Sequence, residues 1–164
     1  KIKNLNNVLS NSPMDTIEER NKLVDSVKIG LHENLRVTFK DRDFIPLDLT
    51  EDIKVTQCFC AAINCGYSSI SNDLWEKLAQ IILDANYEAT IWAAAINRVK
   101  TGTKDVFLTF LGGGVFNNKT EWIAKSIARA IKIAKENMLD INIHICHYRD
   151  FEQDMIDIIN SFIS

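Results

Sequence analysis

The sequence predicts an α/β fold, a parallel sheet with helices covering its faces. Three observations carry this. From residue 54 onward the segments alternate strand, helix, strand, helix, strand, helix. The apolar residues of the helical segments recur at steps of three and four. One strand, "VFLTFL" at 106–111, is apolar almost throughout, as expected of a strand buried on both sides of a parallel sheet.

Residues 1–12 are Asn-rich, and the spacing of Ile2, Leu5, Val8 and Leu9 suits a short helix. Residues 15–26 suit a second, with Asp15 as its cap and Glu18 three residues on. "VKIGLHENLRVTF" reads as extended, interrupted by Gly30. "KDRDFIPLDLTED" is charged, contains Pro46, and reads as a loop. "KVTQCFCAAI" is β-branched and apolar, which predicts a buried strand over 54–63. "NCGYSSISND" is turn chemistry.

A long helix is expected from Asp73 to Arg98. Its apolar stripe is Leu74, Leu78, Ile81, Ile82, Ala85, Ala89, Trp92, Ala93 and Ile96, and Gly102 follows its end. After the strand at 106–111, Asn118 with Glu121 marks another helix start. Ile123, Ile127, Ala130, Ile131, Ala134 and Met138 carry that helix to about Asn137. Lys125, Arg129, Lys132 and Lys135 lie off its stripe, as a solvated face does. "INIHICHY" alternates like a half-exposed strand. A last helix starts near Asp150, with Gln153 as capping partner, and buries Met155, Ile158, Ile159 and Phe162. The chain reads as one domain over 1–164, with 1–53 as a helical and extended lead-in and 54–164 as the core.

The net charge is -3 and the basic residues are dispersed, so there is no electrostatic case for duplex nucleic acid as a partner. No apolar run reaches the length of a membrane span and no signal peptide opens the chain, so no membrane partner is expected. Opening on Lys1 rather than Met is what a trimmed chain or a piece of a longer one is expected to show. Cys58, Cys60 and Cys65 stand at poor zinc spacing, and Cys146 with His32, His144 and His147 does not complete a site. No metal and no cofactor are expected. Reduced cysteines fit an intracellular compartment.

The segment with most chemical content is "FLTFLGGGVFNNKTEW", 107–122, which holds three of the six glycines. It follows a buried strand and precedes a helix. Ligands of parallel sheets bind at the carboxyl ends of strands, and a helix N-terminus there suits phosphate. Glycine lets backbone approach an anion closely. No P-loop and no G-x-G-x-x-G is present. A strand-to-helix turn without ligand explains the glycines as well.

These residues resemble a known family. "VFLTFLGGGVFNN", a helix, and then "DINIHICHY" are similar to the second phosphate-binding loop and last strand of macrodomains. "VTQCFCAAINCGYS" and "WEKLAQIILDANYEATIWAAA" match the strand, turn and long helix before that loop. The likeness covers about residues 54–150, and more loosely the stretch from Leu5. It is strongest to a divergent branch that includes bacterial effectors related to poly(ADP-ribose) glycohydrolases, some of which remove ADP-ribose from ubiquitin. The resemblance implies a macro-like sheet sandwiched between helices. It implies ADP-ribose or an ADP-ribosylated protein as partner, hydrolysis of ADP-ribose from modified proteins as activity, and a cytoplasmic setting, the host cytosol for a secreted effector. The family's Asn-Ala-Ala-Asn-like ribose segment is missing, which points to an incomplete N-terminal portion.

Position by position, the resemblance makes Gly112, Gly113, Gly114, Val115, Phe116 and Asn117 the diphosphate loop. Phe116 lies against the distal ribose or is an ordinary core aromatic. Asn117 reaches a ribose hydroxyl or shapes the turn. Tyr148 is placed against adenine, with His147 as its neighbour, or is a surface aromatic. "CGYSS" at 65–69 lines the cleft or only forms a turn. Hydrolysis of the glycosidic link needs a carboxylate to activate water. The candidates are Glu88, Asp48, Glu51 and Asp52. Structural pairing is the competing reading for Glu88, and a solvated loop for the other three. A non-catalytic reader of ADP-ribosylated protein and another nucleotide-binding α/β domain are the alternative functions.

Overall fold

The structure, a computed structural model, describes residues 16–40, 43–48 and 50–163, together with Asn4 and Asn7. It comprises two compact units, one of Lys1–Lys28 with Ala61–Ser164 and one of Ile29–Cys60. The smaller unit holds strands β1 (Gly30–Arg36) and β2 (Lys54–Phe59). The larger holds helices α1 (Ile17–Ser26), α2 (Glu76–Thr101), α3 (Thr120–Glu136) and α4 (Gln153–Ile163), with strands β3 (Asp105–Thr109) and β4 (Asn142–Cys146). Mixed α/β character is therefore as expected, but its strands form two small sheets.

In the smaller unit β1 and β2 pair antiparallel, from Gly30 opposite Phe59 to Arg36 opposite Lys54. The register slips between His32 and Leu35, where Asn34 takes φ 58°. The expectation of a buried strand over 54–63 is corrected. The strand stops at Phe59, none of its residues is buried, and Phe59 is 56% exposed. A two-stranded ribbon has too little covering structure to bury either face.

In the larger unit β3 and β4 are parallel and in register from Asp105 opposite Asn142 to Thr109 opposite Cys146. Antiparallel neighbours can be joined by a tight turn, but parallel ones need a crossover, and α3 supplies it. The core joins Leu83, Tyr87 and Ile91 of α2, Val106 and Leu108 of β3, Ile123 and Ile127 of α3, and Met155 and Ile159 of α4. Only one face of β3 is buried. Phe107 points away from this core, 64% exposed, and stacks on His144 at 4.8 Å. The all-apolar run therefore misleads about burial on both sides.

Helix α2 buries only part of the predicted stripe. Ile81 and Ala85 of that stripe are inside, but so are Ala79, Leu83, Tyr87 and Ile91, with Asp84 and Asn86 beside them, whereas Leu74, Trp92 and Ile96 are exposed. The polar pair is tolerated because it is hydrogen-bonded. Asn86 donates to the Ala61 carbonyl at 3.0 Å, and Asp84 accepts from Ser126 at 2.5 Å and Gln80 at 3.1 Å, with Arg20 of α1 closing the set. The helix ends as predicted at Gly102, whose φ of 85° suits a glycine and whose amide donates to Arg98 O.

Three helix starts differ in detail. Helix α1 is capped by Thr16, which accepts from the Glu19 amide; Asp15 and most of the expected 1–12 helix lie outside the described residues. Lys119, not Asn118, is the N-cap of α3. Helix α4 begins at Gln153, whose side chain bonds forward to Asp157.

Candidate functional site: the glycine loop at the carboxyl end of β3

Strand β3 delivers the chain at Thr109 into a loop anchored from below. The Tyr87 hydroxyl donates to Thr109 O at 2.6 Å and accepts from the Leu111 amide at 2.9 Å. Tyr87 is 3% exposed, so helix α2 fixes the point where the strand ends. The loop then closes on itself. Gly113 N bonds Phe110 O, and Asn118 N bonds Gly112 O at 3.0 Å.

Two glycines are required by the backbone. Gly112 has φ 80°, and a Cβ there would lie 2.3 Å from Ala62 Cβ and 2.7 Å from Asn118 Nδ2. Gly114 has φ 57° with open space around it. The short 3-10 turn Gly114–Phe116 follows, ending at Asn117 with φ 55°. A left-handed residue leading into helical ones turns successive N–H groups toward one concavity, the geometry of a backbone anion nest. The amides of Gly112, Gly114 and Val115 have no acceptor among the described residues, while that of Phe116 is taken up by the 3-10 turn. Gly114 and Val115 are exposed, Val115 by 65%.

The preceding segment forms the other wall. Cys65 and Gly66 both donate their amides to Phe116 O at 3.0 Å, and Asn72 Nδ2 donates to Asn117 O at 3.0 Å. A Cβ on Gly66 would lie 2.2 Å from Val115 O, so glycine permits this approach. Thus Cys65 and Gly66 of "CGYSS" are brought against the loop, and the turn reading also holds, with Ser68 N bonding Cys65 O at 3.2 Å. Burial pushes the Cys65 thiol up from its ordinary pKa, which makes it an inert wall.

Asn118 is the residue the sequence reading misassigned. It is 6% exposed, and its Nδ2 donates to Ile63 O at 2.8 Å and Gly112 O at 3.0 Å. Its Oδ1 is buried without a partner among the described residues. Such an orphan acceptor costs about 1–3 kcal/mol. Position before a helix suggested a cap. The opposing carbonyl of Ile63 stands 55 residues away in sequence, and no local pattern announces it.

The other candidates fall as follows. Phe116 is half-buried and packs on the core, while its carbonyl holds Cys65 and Gly66. Asn117 shapes the turn through its left-handed backbone. Beyond β4, His147 lies 5.1 Å edge-on from Phe110 and 4.5 Å from Phe151, so the carboxyl ends of β3 and β4 share an aromatic cluster. Tyr148 is 74% exposed, with the Arg149 guanidinium 5.3 Å from its ring. Lys119, next to the loop, bonds Asp73 at 2.5 Å, which raises its pKa and keeps it cationic.

Among the carboxylates, Glu88 pairs with Arg129 at 2.8 Å across α2 and α3, the structural pairing weighed above. Asp48, Glu51 and Asp52 belong to the smaller unit. There Asp48 accepts from Thr50 N at 2.9 Å, Glu51 N bonds Asp48 O, and Asp52 pairs with Lys54 at 2.8 Å. Among the described residues no cluster of His, Cys, Asp and Glu could hold a metal, and no helix is long and apolar enough to cross a membrane.

Comparison of the chain with protein-family models, curated proteins and solved structures finds no match.

Proposed function

We propose that the larger unit binds ADP-ribose, free or attached to protein, with its diphosphate on the Gly112–Asn117 loop. The observation that carries this is the pair of exposed, uncommitted amides at Gly114 and Val115, at the carboxyl end of a parallel strand. The choice of ADP-ribose among phosphate ligands rests on the macrodomain resemblance of the sequence. His147, Phe151 and Tyr148 offer aromatic surface at the neighbouring strand end for the adenine.

Hydrolytic release of ADP-ribose is the activity the resemblance implies. A reader of ADP-ribosylated protein is the second reading, and the Glu88–Arg129 ion pair favours it, because it commits the larger unit's one candidate carboxylate to a helix-to-helix contact.

Calorimetry with ADP-ribose, ADP and AMP tests the binding. ADP-ribose is expected to bind tightest, and equal affinity for all three overturns the reading. Incubation with an ADP-ribosylated protein then separates the two activities: release of ADP-ribose marks the hydrolase, retention with binding marks the reader.

A further inference from the structure

We propose that Asn118 is the positioning residue of the glycine loop: its carboxamide nitrogen, shared between Gly112 O and Ile63 O, sets the turn that presents the Gly114 and Val115 amides to an anion. The proposal rests on the loop being an anion site.

The geometry supports a tether rather than a helix cap. Nδ2 reaches both carbonyls, at 3.0 and 2.8 Å, and comes within 3.5 Å of the Phe116 carbonyl. One amide group thereby joins the loop's entry, the loop's exit and the 61–66 wall. Gly112 sits directly over it, since a Cβ there would meet Nδ2 at 2.7 Å. The backbone amide of Asn118 adds a second bond to the same Gly112 carbonyl.

The unpaired Oδ1 strengthens the inference. A side chain selected for stability alone would not leave a buried acceptor orphaned. A carboxamide places two N–H donors at one point, which neither an aliphatic side chain nor a hydroxyl supplies. Without it Gly112 O keeps only the Asn118 amide, and the link from the loop to Ile63 O is lost.

The test is nitrogen-15 amide spectroscopy of the protein titrated with inorganic pyrophosphate and with ADP-ribose. In the wild type, the Gly114 and Val115 amides are expected to shift with both probes. If they shift with neither, the anion site itself is refuted. In Asn118→Leu, which keeps the size, removes the donors and adds no charge, affinity for both probes is expected to fall at least about tenfold, with resonances outside 61–66 and 110–119 unmoved. Asn118→Ser keeps one donor and is expected to fall between the two. It takes the place of Asn118→Leu if that variant does not fold. A folded variant with wild-type affinity and wild-type loop shifts overturns the positioning role while leaving the anion site standing.

Discussion

The Tyr87 hydroxyl lies between Thr109 O and Leu111 N, at 2.6 and 2.9 Å, and so clamps the last residue of β3 and the first turn of the glycine loop to helix α2. Leu111 N also bonds Thr109 O at 2.9 Å, so both groups keep a partner when the oxygen is removed. Tyr87→Phe is expected to lose about 0.5–1.5 kcal/mol of stability. Urea denaturation should show a lower midpoint at unchanged slope. Loosening of the loop should also weaken ADP-ribose binding.

Gly113 offers a cleaner probe of the anion reading than its neighbours. Its φ of -62° is open to any residue, and the nearest atom to an added Cβ is Phe110 O at 3.3 Å. Gly113→Glu is expected to fold and to lose at least about tenfold in affinity for ADP-ribose through charge repulsion. Unchanged affinity by calorimetry shows that the anion lies elsewhere.

Gly66 and Gly114 are expected to respond differently to alanine. At Gly66 the added carbon meets the Val115 carbonyl at 2.2 Å, so the two walls must part. A loss of about 1–3 kcal/mol is expected, as for other overpacked sites. At Gly114 there is open space, and only the left-handed backbone resists, at about 1–2 kcal/mol. Paired melting and binding measurements separate them: Gly66→Ala displaces the loop and lowers affinity, whereas Gly114→Ala costs stability and leaves the walls together.

Asp84 is buried between helices with Ser126, Gln80 and Arg20 as its partners. Arg20→Ala leaves that carboxylate on neutral donors and releases α1. Its side chain is 33% exposed, so water screens part of the effect. The expected loss is about 1–3 kcal/mol. Asp84→Ala, which orphans the guanidinium and both donors, is expected to cost about 3–5 kcal/mol. A double-mutant cycle read by urea denaturation gives the coupling; additive losses refute it.

Acid should destabilise the fold through identifiable groups. Hydrogen bonds from Lys104 and then Arg98 hold Asp140 below its ordinary 3.8, and His144 followed by Asn142 does the same for Asp105. Lys125 lowers Glu121 from 4.5. A carboxylate depressed on folding contributes stability above its unfolded pKa and loses it as pH falls through the folded one. Stability is therefore expected to be level above about pH 5 and to decline below about pH 4. Asp140→Asn should make that decline shallower in urea midpoints measured across pH, and an unaltered acid limb refutes the assignment.

Much of the local order was legible in the sequence. The step pattern located α2, α3 and α4, Gly102 ended α2, and the parallel pairing of β3 with β4 followed from the helix between them. The three glycines marked a strand-to-helix junction where backbone groups come close, and two of them do occupy left-handed φ. These features depend on periods of a few residues and on single-residue conformational preference, which a sequence carries directly.

What tertiary structure alone decided lies across long separations. The buried face of α2 turns on Asp84 and Asn86 finding Ser126 and Ala61, partners that hydropathy cannot see. Trp92 and Ile96, apolar and in step, stay exposed. The antiparallel partner of β2 was set by pairing with β1 rather than by its own residues. Asn118 became a tether and not a cap because Ile63 O, 55 residues earlier, stands within hydrogen-bond reach. A sequence states what each backbone segment prefers; which polar groups are buried together depends on the packing that brings their partners to them.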